Sequence, residues 1–248
     1  MYSTFTIFGC AEDRRRLGKA QIKFGFSLNL HYLCSGMSLY QSPEFVHTVQ
    51  QVIEFLGTFA FAISGIRHAA ACRFDWFGGF VCGVAVAIGG GTLRDVMLGV
   101  TPFWMLSPFY LLCTALAQVF IIVFARWLKR LDNAWFVFDT LGLALFTIAG
   151  LQKTLDCGHP MWVAIIMGCI TGSAGGVIRD IFLSRRPLIF QKEIYAMASI
   201  AGGAAYWLML YWGANVGVAS VTTFIIICVI RFLAMRYHIS LPRLHSEE

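Results

Sequence analysis

Apolar residues run through this chain in long blocks, and most charged residues fall in the short stretches between them. From residue 46 the blocks define seven candidate spans: about 46–66, 76–98, 107–128, 134–151, 160–183, 193–212 and 214–235. Each is near the roughly 20 apolar residues that a helix needs to cross a bilayer core of about 30 Å. Pro102, Pro108, Pro160 and Pro187 lie near span ends, where proline costs a helix least.

Two spans break the pattern. "AIGGGTLRDVMLG", residues 87–99, sets three glycines beside an arginine and an aspartate. Glycine costs a helix about 1 kcal/mol against alanine, and a charge at the membrane centre costs about 2.5–3.5 kcal/mol on insertion scales. "GSAGGVIRDIFLSRRP", residues 172–187, repeats the device. A single shift of the sequence against itself superposes Arg94 on Arg179, Asp95 on Asp180 and Pro102 on Pro187. The same shift superposes Gly57 on Gly142, Phe61 on Phe146, Gly65 on Gly150 and Gly83 on Gly168, and it sets Glu54 on Asp139. Residues 46–130 therefore read as one three-helix repeat and 134–213 as a second. Residues 214–236 form a seventh helix outside the repeat, and 237–248 a cytoplasmic tail. An odd number of spans per repeat turns the second copy over in the membrane, which predicts a pseudo-two-fold axis in the membrane plane.

Composition agrees with this reading. The 248 residues are 58% apolar and 13% charged, against a usual charged share of about 25%, which describes a polytopic membrane protein. The net charge of +6 suits loops that face the cytoplasm. Arg67, Arg73, Arg126, Lys129, Arg130, Arg185, Arg186, Lys192, Arg236 and Arg243 share one side in the seven-span scheme. That side is read as cytoplasmic, together with the C-terminus. Residues 1–43 hold a basic stretch and a weak apolar one interrupted by Asn29 and His31. They are expected to be an accessory or disordered extension, with Met37 an alternative start. The cysteines form no C-x-x-C and the histidines are scattered, so neither a disulfide framework nor a resident metal is expected. No basic patch on a soluble domain suggests nucleic acid. No H-E-x-x-H or G-x-S-x-G suggests an enzyme.

The chemistry that remains is ion passage. Breaks at matching positions of two inverted halves are the sequence pointer to a transport path. Gly89, Gly90 and Gly91, with Gly175 and Gly176, are expected to open or kink spans 2 and 5 and turn carbonyls toward a cation; the alternative is close helix packing. Arg94, Asp95, Arg179 and Asp180 read as a pore wall, as a structural clasp, or as both. Neighbours in a helix point about 100° apart, so crossed pairs, Arg94 with Asp180 and Arg179 with Asp95, are expected, or else bonds from each to exposed carbonyls of the other broken helix. Glu54 and Asp139 are intramembrane acids that attract or gate cations, or else interfacial carboxylates.

"GGGTLRDVMLGVTPFW" and "GSAGGVIRDIFLSRRPLIFQKEIYA" resemble the prokaryotic branch of the trimeric intracellular cation (TRIC) channel family, also labelled as bacterial proteins with a glycine transporter domain. The resemblance covers roughly residues 46–236. It implies a homotrimer in the bacterial or archaeal plasma membrane, seven spans per protomer and one pore per protomer near the kinks of helices 2 and 5. It also implies conduction of monovalent cations, chiefly potassium, with no cofactor. The Lys-Glu-Val motif and phosphoinositide binding of animal members are not carried over, because that tripeptide is missing. Ala174 in place of a third glycine implies a stiffer kink in span 5. The rival function is a secondary transporter of glycine or another small solute, since inverted repeats and broken helices serve carriers equally well.

Overall fold

The computed structural model describes residues 43–125, 134–190 and 194–237. The expected extension at 1–43 (apart from its last residue) and most of the tail at 237–248 lie outside these, as do Arg126, Lys129, Arg130, Lys192 and Arg243. The described residues are helical throughout, with turns between. Seven longer helices follow in order: α1 (Pro43–Ala71), α2 (Trp76–Met97), α3 (Phe109–Val123), α4 (Ala134–Asp156), α5 (Met161–Phe182), α6 (Ala196–Tyr211) and α7 (Val216–Arg236). An eighth is the single turn Phe103–Leu106, and Leu188–Phe190 is a 3-10 turn. Each long helix falls on one expected span, and α1 and α4 run past the expected C-terminal ends. Five helices are long and apolar enough to cross a membrane, while α3 and α6 are shorter.

Helix ends follow local chemistry. Asp75 caps α2 by accepting from Gly78 N–H at 2.7 Å, and Asn215 caps α7 by accepting from Val218 N–H at 2.8 Å. At the other end, Leu98 N–H bonds Arg94 C=O and Leu183 N–H bonds Arg179 C=O. The next residues, Gly99 (φ 69°) and Ser184 (φ 52°), both turn left-handed. Arg73 (φ 60°) and Gly158 (φ 83°) do the same after α1 and α4. Each of these two pairs occupies equivalent positions of the repeat.

The core carries the same duplication. Phe61 of α1 stacks on Phe146 of α4, with centroids 5.4 Å apart and planes 11° apart. A Cβ on Gly57 would press on the Phe146 ring, and one on Gly142 would press on Phe61. A Cβ on Gly90 would strike the Thr171 carbonyl, and one on Gly175 would lie 2.6 Å from the Val86 carbonyl. Residue 86 corresponds to 171, and 90 to 175, so each contact is matched by its reciprocal, the mark of a two-fold relation. These glycines are where α2 and α5 cross with their backbones touching.

The opening of α2 and α5 at their glycines is not found. Both helices hold helical backbone from end to end through Gly89–Gly91 and Gly175–Gly176. The physical reason is the crossing itself: a glycine that accepts a neighbour's backbone at close range keeps its own helix ladder intact.

Candidate functional site

Near the C-terminal end of α2, Arg94 is fully buried, an arrangement that demands partners. Its Nε donates to Asp95 Oδ1 at 2.7 Å, and its Nη2 pairs with Glu54 Oε1 on α1 at 3.0 Å. Asp95 Oδ2 accepts from Phe103 N–H at 2.8 Å, tying the segment after α2 back onto the helix. Tyr110, on α3, donates to Glu54 Oε2 at 3.2 Å. The guanidinium also lies 5.6 Å from the centre of the Phe103 ring.

The second cluster repeats every one of those hydrogen bonds and ion pairs at the equivalent positions of the other half. Arg179 Nε donates to Asp180 Oδ1 at 2.9 Å, and Arg179 Nη1 bonds Asp139 Oδ1 on α4. Asp180 Oδ2 accepts from Leu188 N–H at 2.9 Å, and Tyr195 donates to Asp139 Oδ1 at 3.4 Å. A motif read as a linear string is thus a three-dimensional device built twice. Each copy holds one arginine between two carboxylates, with one tyrosine hydroxyl on the acid of the first helix.

The expected crossed pairs are not formed. Arg94 bonds its own neighbour Asp95, and Arg179 bonds Asp180. Helical angle constrains where Cβ atoms point, but arginine's stem is long enough to curl. Its five-donor fork then serves an adjacent carboxylate through Nε and a second helix through Nη. The partners reached on the second helix are Glu54 and Asp139, the two acids aligned by the repeat. Both are buried, with Glu54 5% exposed and Asp139 fully enclosed, so neither carboxylate opens to solvent.

Three features lacked a signal in the motif. Tyr110 and Tyr195 are equivalent positions, legible only once the repeat is extended past the prolines. Ser64 Oγ accepts from Arg179 Nη1 at 3.0 Å, and the aligned position in the other half is an alanine. Arg231 lies within α7, outside the repeat, and its Nη2 is 3.5 Å from Asp139 Oδ2. Its guanidinium sits between the rings of Phe136 and Tyr195, 4.6 Å from each centre.

Beside the second cluster a cavity of about 570 Å³ is lined by residues that include His68, Arg179, Asp180, Arg185 and Leu188. His68 Nδ1 lies 2.8 Å from the Ser64 carbonyl, and its ring meets Trp135 edge-on at 5.0 Å. Among the described residues no three His, Cys, Asp or Glu side chains converge as a metal site.

Comparison with known proteins follows the same division. The family described as "Glycine transporter" matches residues 51–126 and again 136–211, two segments in the register of the repeat. The UPF0126 inner membrane protein YadS of Escherichia coli K12 is 37% identical over 200 residues, which cover 79% of this chain and 96% of that protein. The TRIC trimeric intracellular cation channel orthologue of Rhodobacter sphaeroides superposes with a TM-score of 0.73 at 30% identity, over 77% of this chain and all of that one. A second TRIC cation channel, solved in a study of conductance, superposes with a TM-score of 0.71 at 32% identity, over 80% of this chain and 98% of that one. These relatives are described as membrane proteins and channels, not as enzymes. A polytopic helical chain, with its duplicated Arg–Asp device inside two matched segments and the TRIC fold around them, belongs to the glycine transporter family.

Proposed function

We propose that this protein conducts monovalent cations, potassium first, along a path in each protomer that passes the α2–α5 crossing between the two charge clusters. The observation that carries this reading is the duplicated cluster. In the first copy Glu54, Arg94 and Asp95 sum to one formal negative charge, and that charge is buried; Asp139, Arg179 and Asp180 sum to the same value before Arg231 of α7 is counted. Fixed negative charge in a low-dielectric wall offsets part of a cation's lost hydration. The likeness to TRIC cation channels supports the same function.

The architecture we attach to this function has seven crossings, the second three-helix unit inverted against the first, the C-terminus cytoplasmic and three protomers together. Arg67, Arg73, Arg185, Arg186 and Arg236 then share the cytoplasmic face. Gly90, Gly91, Gly175 and Gly176 act as a bend in continuous helices, where absent side chains leave room beside the crossing, and Gly89 lies one position before it.

The experiment is single-channel recording of purified protein in planar bilayers. Unitary potassium currents far above carrier turnover are expected, with a reversal potential in a KCl gradient near that of potassium. The family's description favours a second reading, a carrier of glycine. Saturable, electrically silent glycine uptake into vesicles without unitary currents would establish that alternative and overturn the channel.

A further inference from the structure

We propose that Arg231 is a specificity-determining residue that makes the two charge clusters electrically unequal, and that the permeation path is polar in direction because of it. The inference rests on the cation-conducting reading above. By symmetry alone the clusters match, since each holds two carboxylates and one guanidinium. Arg231 adds a positive charge beside the second cluster, 3.5 Å from Asp139 Oδ2, and brings the formal sum of Asp139, Arg179, Asp180 and Arg231 to zero. Among the described residues Glu54 pairs with one guanidinium, that of Arg94.

Packing alone does not call for this residue. α7 is the most apolar of the five long spans, and an arginine there carries the membrane-insertion penalty that a leucine or methionine avoids. Its side chain is fully buried and fixed on three sides by two ring faces and a carboxylate. The arrangement also reaches the glycine motif. A Cβ on Gly176 would lie 2.6 Å from the Tyr195 hydroxyl oxygen, so the ring under Arg231 is the one packed against α5 at its glycines. In the first half the aligned Gly91 meets Phe103, whose ring lies by the cluster's own Arg94, with no second guanidinium on it among the described residues. A cation passing the crossing therefore leaves a cluster of net charge −1 for one of net charge zero.

The test compares charge-balanced variants in symmetrical KCl, reading the ratio of single-channel currents at equal and opposite voltages. Wild type is expected to rectify. Arg231→Gln restores the missing negative charge and moves the ratio toward one by about two-fold or more, because a net charge beside the path changes the local cation concentration by at least that much. Arg231→Lys keeps the charge and the wild-type ratio. Asp139→Asn/Arg231→Gln returns the second cluster to zero and restores the wild-type ratio, a result that no purely structural role produces. An unchanged ratio in folded Arg231→Gln, or a double variant that behaves like Arg231→Gln, overturns the proposal. If wild type passes no unitary current, it is the conduction reading that fails. Arg231 is then judged by thermal unfolding in K⁺ against N-methyl-D-glucamine, where Arg231→Gln must gain more K⁺ stabilisation than wild type, and equal gains refute the charge argument.

Discussion

The three-helix units α1–α3 and α4–α6 are built on one plan and completed differently. In both, a buried arginine near the end of the second helix bonds the next aspartate, and that aspartate holds the backbone of the segment that follows the helix. In both, the arginine reaches an acid on the first helix, and a tyrosine on or beside the third helix shares that acid. The first unit stops there. The second adds Ser64 from the opposite unit and Arg231 from α7, so among the described residues Asp139 is shared by two guanidiniums where Glu54 has one. Gene duplication explains the common plan. The difference shows that a single added helix suffices to break the electrostatic symmetry of a duplicated fold while leaving its backbone symmetry in place.

The widest break in the comparison should come from the arginines themselves. Removing one partner of a buried ion pair costs about 3–5 kcal/mol. Arg94→Met strands Glu54 and Asp95 together, whereas Arg179→Met leaves Asp139 with Arg231. The expected outcome in thermal unfolding in detergent is a larger loss for Arg94→Met. Equal losses would mean that Arg231 does not compensate Asp139.

The glycine crossing sharpens the backbone half of the comparison. Gly90→Ala and Gly175→Ala each push a methyl group onto a helix carbonyl that has nowhere to move, at an expected cost of about 1–3 kcal/mol. Gly89→Ala meets only the tip of Ile178 and should cost less in the same melting experiment. If Gly89→Ala proved as damaging as Gly90→Ala, the crossing would not be where the backbones touch.

The smallest expected effect is at the helix ends. Gly99 and Ser184 occupy equivalent left-handed positions, and only glycine takes that conformation freely. Ser184→Gly should stabilise by about 1 kcal/mol and Gly99→Ser should destabilise by a similar amount. Opposite shifts in melting temperature verify the equivalence of the two ends.

Much of this was legible because duplication leaves a record in spacing. The constant offset aligned Glu54 with Asp139 across two helices, and both acids are found on the arginines. The apolar blocks located the helices, with α2 and α5 close to the expected ends. Where the expectation failed, it extrapolated from geometry that side chains override. Helical angle argued against Arg94–Asp95 contact, yet a flexible stem made it. Glycine's helix cost argued for opened backbone at 89–91, yet a close crossing held the helix together.

The chain by itself determined that this is a helical membrane protein made of a doubled unit plus one further helix, because apolar length and residue spacing are properties of the string. Only the tertiary structure decided that each arginine serves the aspartate beside it, and that Arg231, without a counterpart in the repeat, stands over Asp139. Partner choice among buried charges depends on which helices pack side by side and how far each side chain reaches, and neither quantity is written in the spacing of residues along a chain.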